Sequence, residues 1–293
     1  MKMKSIISKI LICTITASTL FTSSPKTAYA DSYKVVTLGN DLNEDQKSEM
    51  LEYFGVNKDD AQVLTITSKE EYDALSKIAT SSQIGSRSIS CSYVDTSYSD
   101  GLIIQTKNLT WVTDGMIRNA LITAGVTKAK VIAASPFKVS GTAALTGILK
   151  GFEKSDNGSE LSEEKKEAAN EELMVTGNLS DKIGQDDATN LMNEIKTEII
   201  KDKPDSQNEL EKTVKDVIND YKYDLSNTDI EQINNVMAKI NSLDINYNDI
   251  KNYLSDITDS LKDKIDSDAV KGFFSKIADF FKGIWDSIVN FFN

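Results

Sequence analysis

The chain has no histidine, two cysteines, three prolines and only two arginines, Arg87 and Arg118. Without histidine there is no Ser-His-Asp triad, no Cys-His dyad and no His-ligated metal. Cations are also in deficit: 33 Lys plus Arg face 45 Asp plus Glu, a net charge of −12. That balance argues against nucleic acid as a partner, because neutralising phosphate needs clustered Lys and Arg. What the chain does have is 293 residues, 40% of them hydrophobic, enough for two modest domains with packed cores.

Residues 1–30 read as a secretory signal peptide. Lys2, Lys4 and Lys9 supply the positive n-region, residues 10–21 the apolar core, and Ala28-Tyr29-Ala30 a small-x-small cleavage site ahead of Asp31. The apolar run is too short for a lasting membrane span. A lipoprotein reading would use Cys13, but Ile12 before it is too bulky. Cleavage would remove four Lys and no acid, leaving 29 cations against 45 acids, a net −16. Only Cys91 would survive, so stability outside the cell would rest on the core and not on a disulfide.

Composition divides the mature chain near residue 155. Ten of the 14 glycines lie between Asp31 and Gly158, and none lies between Gly184 and Gly272. The stretch Lys154-Ser155-Asp156-Asn157-Gly158-Ser159 has linker character. The expected parts are a leader at 1–30, an α/β domain at 31–154, a helical domain at 155–266 and an amphipathic helix at 267–293. The expected fold class is α/β or α+β: a mixed N-terminal domain, then an all-helical region.

In the first part, strands are expected at 33–38 and 61–66, with a helix at 43–54 stopped by Gly55. Ser68-Lys69-Glu70-Glu71 reads as a capping box opening a helix to Ala79. Residues 86–95 alternate strictly, with Arg87, Ile89, Cys91 and Tyr93 on one face and serines on the other. Asp100-Gly101 then turns the chain into 102–112, which reads as a hairpin. Thr113 caps a helix to Ala124, and a strand at 129–134 leads to a small-residue helix from Gly141. Gly55-Val56 and Gly125-Val126 each close a helix before a strand, 70 residues apart, which suggests a duplicated βαβα unit. Beyond 155, amphipathic stripes recur: Leu191, Met192, Ile195, Ile199; Leu210, Val214, Val217, Ile218, Tyr221; Ile230, Ile233, Val236, Met237, Ile240; Ile250, Leu254, Ile257, Leu261, Ile265.

The C-terminal stretch differs from these. Residues 268–293 hold six of the ten Phe and one of the two Trp. On a helical wheel Phe273, Phe274, Ile277, Phe280, Phe281, Ile284, Trp285, Ile288, Phe291 and Phe292 share one side, in an apolar arc of about 200°, twice the usual one-sided stripe. These ten are the candidate contact residues. Their cover is the protein's own core, a partner groove or second copy, or a membrane surface. Three Lys balance three Asp here, so membrane insertion would be driven by apolar burial. Charges recurring along the stretch argue against a transmembrane span.

Catalytic signals are weak. Lys138-Val139-Ser140-Gly141-Thr142 opens a helix after a strand but lacks the Gly-Lys-Ser/Thr of a P-loop and the Gly-x-Ser-x-Gly of a nucleophile elbow. Cys91 shares its strand face with Ile89 and Tyr93, which reads as a buried thiol. Asp156-Asn157-Gly158-Ser159-Glu160 does not match an EF-hand, and Trp111 reads as core before ligand platform. No catalytic residue, cofactor or metal ligand is singled out.

One set of motifs is specific. Ile84-Gly85-Ser86-Arg87, Asn108-Leu109-Thr110-Trp111-Val112-Thr113, Asn119-Ala120-Leu121-Ile122-Thr123-Ala124-Gly125-Val126 and Ala134-Ser135-Pro136-Phe137-Lys138-Val139-Ser140-Gly141-Thr142-Ala143-Ala144-Leu145-Thr146-Gly147 follow in order. Together with Val35-Val36-Thr37-Leu38-Gly39 they resemble an exported Gram-positive family built on a domain of unknown function, the family that includes YpuA. The resemblance implies an envelope-facing bacterial protein and carries over no active-site residue. The leading expectation is an exported, non-catalytic interaction protein attached through its C-terminal helix. The alternatives are a carboxylate-dependent cell-wall hydrolase and a membrane-perturbing protein.

Overall fold

The computed structural model describes residues 33–57, 59–156 and 161–262, with side chains to 257. The leader, the centre of the linker and the Phe-rich C-terminal stretch lie outside the described residues.

Five strands form one sheet in the order β2-β1-β3-β5-β4: β1 (Lys34–Gly39), β2 (Gln62–Ile66), β3 (Cys91–Asp95), β4 (Leu102–Leu109) and β5 (Ala129–Val139). β1 pairs with β2, and β4 with β5, in parallel; β3 runs antiparallel to both β1 and β5. The expected hairpin between β3 and β4 is therefore absent, because β5 lies between them. The reason is burial. Cys91, Ser92, Tyr93 and Val94 are all buried, so β3 is a central strand covered on both faces and not a half-solvated edge.

The serine face of β3 is part of that core. Ser92 Oγ and Thr37 Oγ1 are 2.7 Å apart, and Ser90 Oγ accepts from Ala144 N at 2.8 Å. These small polar groups let α5 (Thr142–Lys154) lie close to the sheet. A Cβ on Gly147 would fall 2.0 Å from Thr37 Oγ1.

Local signals place most helices. α1 (Glu44–Phe54) starts in an Asn43/Gln46 capping box. α2 (Ser68–Leu75) starts in a box one residue earlier than the sequence suggested: Thr67 Oγ1 accepts from Glu70 N at 3.2 Å, and Glu70 Oε2 accepts from Thr67 N at 2.9 Å. Glu71 is unavailable for capping because it turns into the core. α2 also stops at Leu75, well short of Ala79, and a separate short helix, α3 (Ser81–Ile84), follows.

α1 and α4 (Asp114–Thr123) end alike. Gly55 N bonds Glu52 O and Val56 N bonds Leu51 O; Gly125 N bonds Ile122 O and Val126 N bonds Leu121 O. Each is a Schellman closure, and the left-handed backbone at Gly55 (φ 70°) and Gly125 (φ 88°) is why glycine recurs there.

The two units nevertheless differ in hand. β1 and β5 are both antiparallel to β3, so they point the same way, and β1→β2 and β4→β5 step in the same direction across the sheet. α1 packs on the face bearing Val36, Tyr93 and Ile132, whereas α4 packs on the opposite face with Val94, Ile104 and Val131. The crossovers must have opposite hands. L-residue chirality assigns them: with a strand pointing up and a side chain toward the viewer, that residue's N–H and C=O point right. Seen from α1, Val36 faces the viewer, and residues of its parity bond toward β2, as Asn40 N does to Ile66 O at 2.9 Å. β2 thus lies to the right, and the β1-α1-β2 crossover is right-handed. Seen from α4, Ala129 faces the viewer and its N–H bonds Gly101 O at 3.0 Å toward β4. The β4-α4-β5 crossover therefore steps left and is left-handed, as are only about 2% of such connections. A tandem copy would keep its hand, so the shared element order is not a simple duplication.

Five further helices follow: α6 (Glu163–Ile183), α7 (Gln185–Asp202), α8 (Gln207–Tyr221), α9 (Asn227–Ser242) and α10 (Tyr247–Lys262). Their described stripe residues are buried as the 3.6-residue period requires, including Leu210, Val214, Val217, Ile218 and Tyr221 on α8, except Ile230, which is partly buried; Leu261 and Ile265 lie outside the described side chains. α6 lies on α4, and one apolar cluster runs from Leu75 through Val131 and Leu173 to Ile257. The helical layer and the sheet thus share a core across residue 155. Among the described residues, no helix is long and apolar enough to cross a membrane.

Candidate functional site

Three polar constellations stand out in the described residues. The first lies at the carboxyl ends of β1 and β2. Asp41 Oδ2 accepts from Ser88 N at 2.7 Å and from Ser68 Oγ at 3.3 Å, and Arg87 donates to the Asp41 carbonyl at 3.3 Å. Behind them Glu71 is 1% exposed and accepts a hydrogen bond from Thr142 Oγ1 at the start of α5. Burial pushes its carboxyl up to about 7; the Thr142 and Ser88 hydroxyls oppose that shift and the nearby Asp41 charge adds to it.

The second is an open groove of about 480 Å³ between α2, α5 and α6. Ala74, Ile78, Thr146 and Leu149 floor it, and its rim alternates in sign. Lys150 pairs with Glu70, and Lys166 with Glu153 and Glu163. The Lys150 and Thr67 hydrogen bonds hold the Glu70 carboxyl below its ordinary range, and Lys239 does the same for Glu167. The groove offers mutually neutralised charge. The carboxyl suited to proton transfer near neutral pH, Glu71, is buried and does not line this groove.

The third joins the layers. Lys196 on α7 and Glu172 on α6 are fully buried, with Nζ 2.8 Å from Oε1. Lys196 Nζ also donates to the Asn119 carbonyl at 2.9 Å, Asn119 Oδ1 at 3.2 Å and Thr123 Oγ1 at 3.3 Å, all on α4. Burial pulls the ammonium below the usual lysine range, with the Glu172 carboxylate opposing. A neighbouring buried set has Tyr221 donating to Glu194 and accepting from Asn190 Nδ2 at 2.8 Å. Burial and the Glu194 charge raise the Tyr221 phenol.

Residues 38–257 match a family model described as "Protein of unknown function (DUF1002)". The chain belongs to that family. It is also 39% identical over 289 residues to the uncharacterized protein YpuA of Bacillus subtilis (strain 168), covering 97% of this chain and 99% of that protein. No solved structure matches it. The DUF1002 span contains all four ordered motifs that carried the resemblance, so the family assignment and the motif reading agree.

Within the DUF1002 span the residues singled out from sequence fall as follows. Cys91 is 0% exposed and burial pushes its thiol up to about 12, which makes it an inert core residue. Trp111 packs against α6 so closely that a Cβ on Gly177 would fall 2.1 Å from its ring, so it is a packing residue. At the start of α5, Thr142 is engaged by Glu71, and the Ala144 N–H by Ser90. The ten apolar candidates from Phe273 to Phe292 lie outside the described residues, as do residues 1–30 and 157–160. Glu172 and Lys196 were not singled out from sequence, and Glu71 was read only as part of a capping box.

Proposed function

We propose that this is an exported, non-catalytic envelope or extracellular interaction protein of a Gram-positive bacterium. Its C-terminal amphipathic helix attaches it to a membrane surface or a partner. The observation that carries this reading is the apolar arc formed by Phe273, Phe274, Ile277, Phe280, Phe281, Ile284, Trp285, Ile288, Phe291 and Phe292, behind a chain that opens with a secretory leader pattern. Burying that many aromatic and aliphatic side chains at roughly 1.5–3 kcal/mol each suffices for interfacial binding. The described residues add support of another kind, since Glu172 and Lys196 spend their polar groups on each other and Glu71 accepts from Thr142 at the start of α5. The hydrolase alternative lacks that support. The open groove holds ion-paired carboxylates, and the raised carboxyl, Glu71, is buried outside it.

The test is vesicle flotation of residues 31–293 beside a version ending at Ser267. Flotation of the longer chain alone is the expected result. If neither floats and the shorter chain is less stable, the C-terminal stretch belongs to the core and the attachment reading fails.

A further inference from the structure

Asn119 on α4, Glu172 on α6 and Lys196 on α7 meet in one closed site, none of them more than 1% exposed. Lys196 Nζ lies 3.2 Å from Asn119 Oδ1. The side-chain carbonyl carbon is one C=O bond further on, so it is at most about 4.4 Å from Nζ. Asn119 Nδ2 donates to the Thr189 carbonyl at 3.2 Å, which turns Oδ1 and not the amide nitrogen toward the lysine. Glu172 Oε1 stands 2.8 Å from Nζ, and Thr123 donates to the other carboxylate oxygen. We propose that Lys196 and Asn119 join in an intramolecular isopeptide bond, with Glu172 carrying the protons.

In water a lysine is an ammonium and has no lone pair to offer. Here burial pulls the ammonium below the usual lysine range, and the Glu172 carboxylate is the base at hand. One proton passed from Nζ to Glu172 leaves a neutral amine facing an amide. Nζ then attacks Asn119 Cγ: the Nζ–Cγ bond forms and the carbonyl electron pair moves to Oδ1. In that intermediate the attacking and leaving nitrogens share one carbon. Glu172 gives its proton to the leaving nitrogen and takes a second from Nζ. The Cγ–Nδ2 bond breaks and ammonia departs. The three ammonium hydrogens end on ammonia, on Glu172 and on the new amide. Nothing is oxidised or reduced, and no further reactant enters.

The site favours this outcome. Its ammonium has three hydrogens among four oxygens: Glu172 Oε1, the Asn119 carbonyl at 2.9 Å, Asn119 Oδ1, and Thr123 Oγ1 at 3.3 Å. The Glu172 Oε1 contact is one of charge without an aligned hydrogen bond. Linkage turns two buried charges, costly to keep from water, into none. An amide is a slow electrophile in solution; a fixed, desolvated approach supplies what a dissolved amine lacks. The bond ties residue 119 in the sheet-bearing part to residue 196 in the helical part. It does so in a chain whose one cysteine among the described residues, Cys91, is buried and free. Bond formation follows folding. Freshly folded chain therefore carries Lys196 and Glu172 as a buried ion pair, and comparisons of that pair's stability belong to the unlinked chain.

Intact mass of the purified full chain, followed from folding until it is constant, tests the proposal. The wild type should lose about 17 Da, the mass of ammonia. Trypsin should then release residues 119–128 joined to residues 183–201, with cleavage blocked after Lys196. Asn119→Ala removes the electrophile and Glu172→Gln the proton carrier, so both should keep their full mass. A wild type that settles at its unmodified mass overturns the proposal. So does the same loss without the branched peptide, which marks a succinimide, or a loss of about 18 Da with a link to residue 172, which marks water leaving from the carboxyl. Glu172→Gln that links as fast as wild type overturns the role of Glu172. The wild-type branched peptide decides for or against the bond even if a variant fails to fold.

Discussion

Removing one partner of the Lys196–Glu172 pair should cost far more than removing both. Lys196 and Glu172 are each 0% exposed, so Lys196→Met strands a carboxylate that retains Thr123 as its neutral partner. Breaking such a pair from one side typically costs about 3–5 kcal/mol, whereas replacing both with apolar residues of similar volume is often neutral. Lys196→Met and Glu172→Met should therefore each destabilise by about 3–5 kcal/mol. The double variant should lie within about 2 kcal/mol of wild type, its residual cost coming from Asn119 and Thr123 acceptors left without Lys196. Equilibrium urea unfolding followed by far-UV circular dichroism reads all four corners of the cycle, with coupling given by the departure from additivity. If the double variant is as unstable as the two singles summed, the pair is not a coupled unit and the reasoning fails. If either single is within about 0.5 kcal/mol of wild type, water reaches the junction and its burial is wrong.

Two further expectations are independent of that pair. Gly177→Ala places a methyl 2.1 Å from the Trp111 ring, on the backbone of α6; it should destabilise by about 1–3 kcal/mol in thermal or urea unfolding, and Trp111→Leu should relieve part of the loss. Cys91 should resist thiol reagents in the native chain and react fully only in denaturant, because it is buried and its thiol is pushed up to about 12; rapid native labelling would show that the α1 face of the sheet opens.

Much of this architecture could be read from the sequence because its signals are local. Asn43, Thr113, Gly55 and Gly125 start and stop helices through bonds within a few residues, and the stripes of α7 to α10 follow the helical period. The capping box at α2 was off by one because Thr67 and Ser68 are equally good caps locally. Only the distant Thr142 decides that Glu71 faces inward and Glu70 caps. Strand order was not legible for the same reason: the alternation of residues 86–95 fits a hairpin edge and a central strand equally well. The buried pair does leave a trace in the sequence. Lys196 stands four residues after Met192 and Glu172 four after Ala168, so opposite charges sit on the apolar stripes of successive helices. Charge on a stripe is a sign of a buried pair, though it does not name the partner.

The left-handed crossover bears on the order in which the chain can acquire its shape. A strand's own twist steers the following helix to the right-handed side, so within β4, α4 and β5 the placement of α4 works against that bias with only the unit's own contacts, such as Arg118 on the Leu102 carbonyl, to hold it. The grip on α4 comes later: Glu172 holds Thr123, and Lys196 holds both Asn119 and Thr123. A chain emerging residue by residue has delivered every strand before it delivers either of those side chains. The uncommon hand at this edge is thus secured from outside its own unit, by helices that are not yet made when the sheet could first assemble.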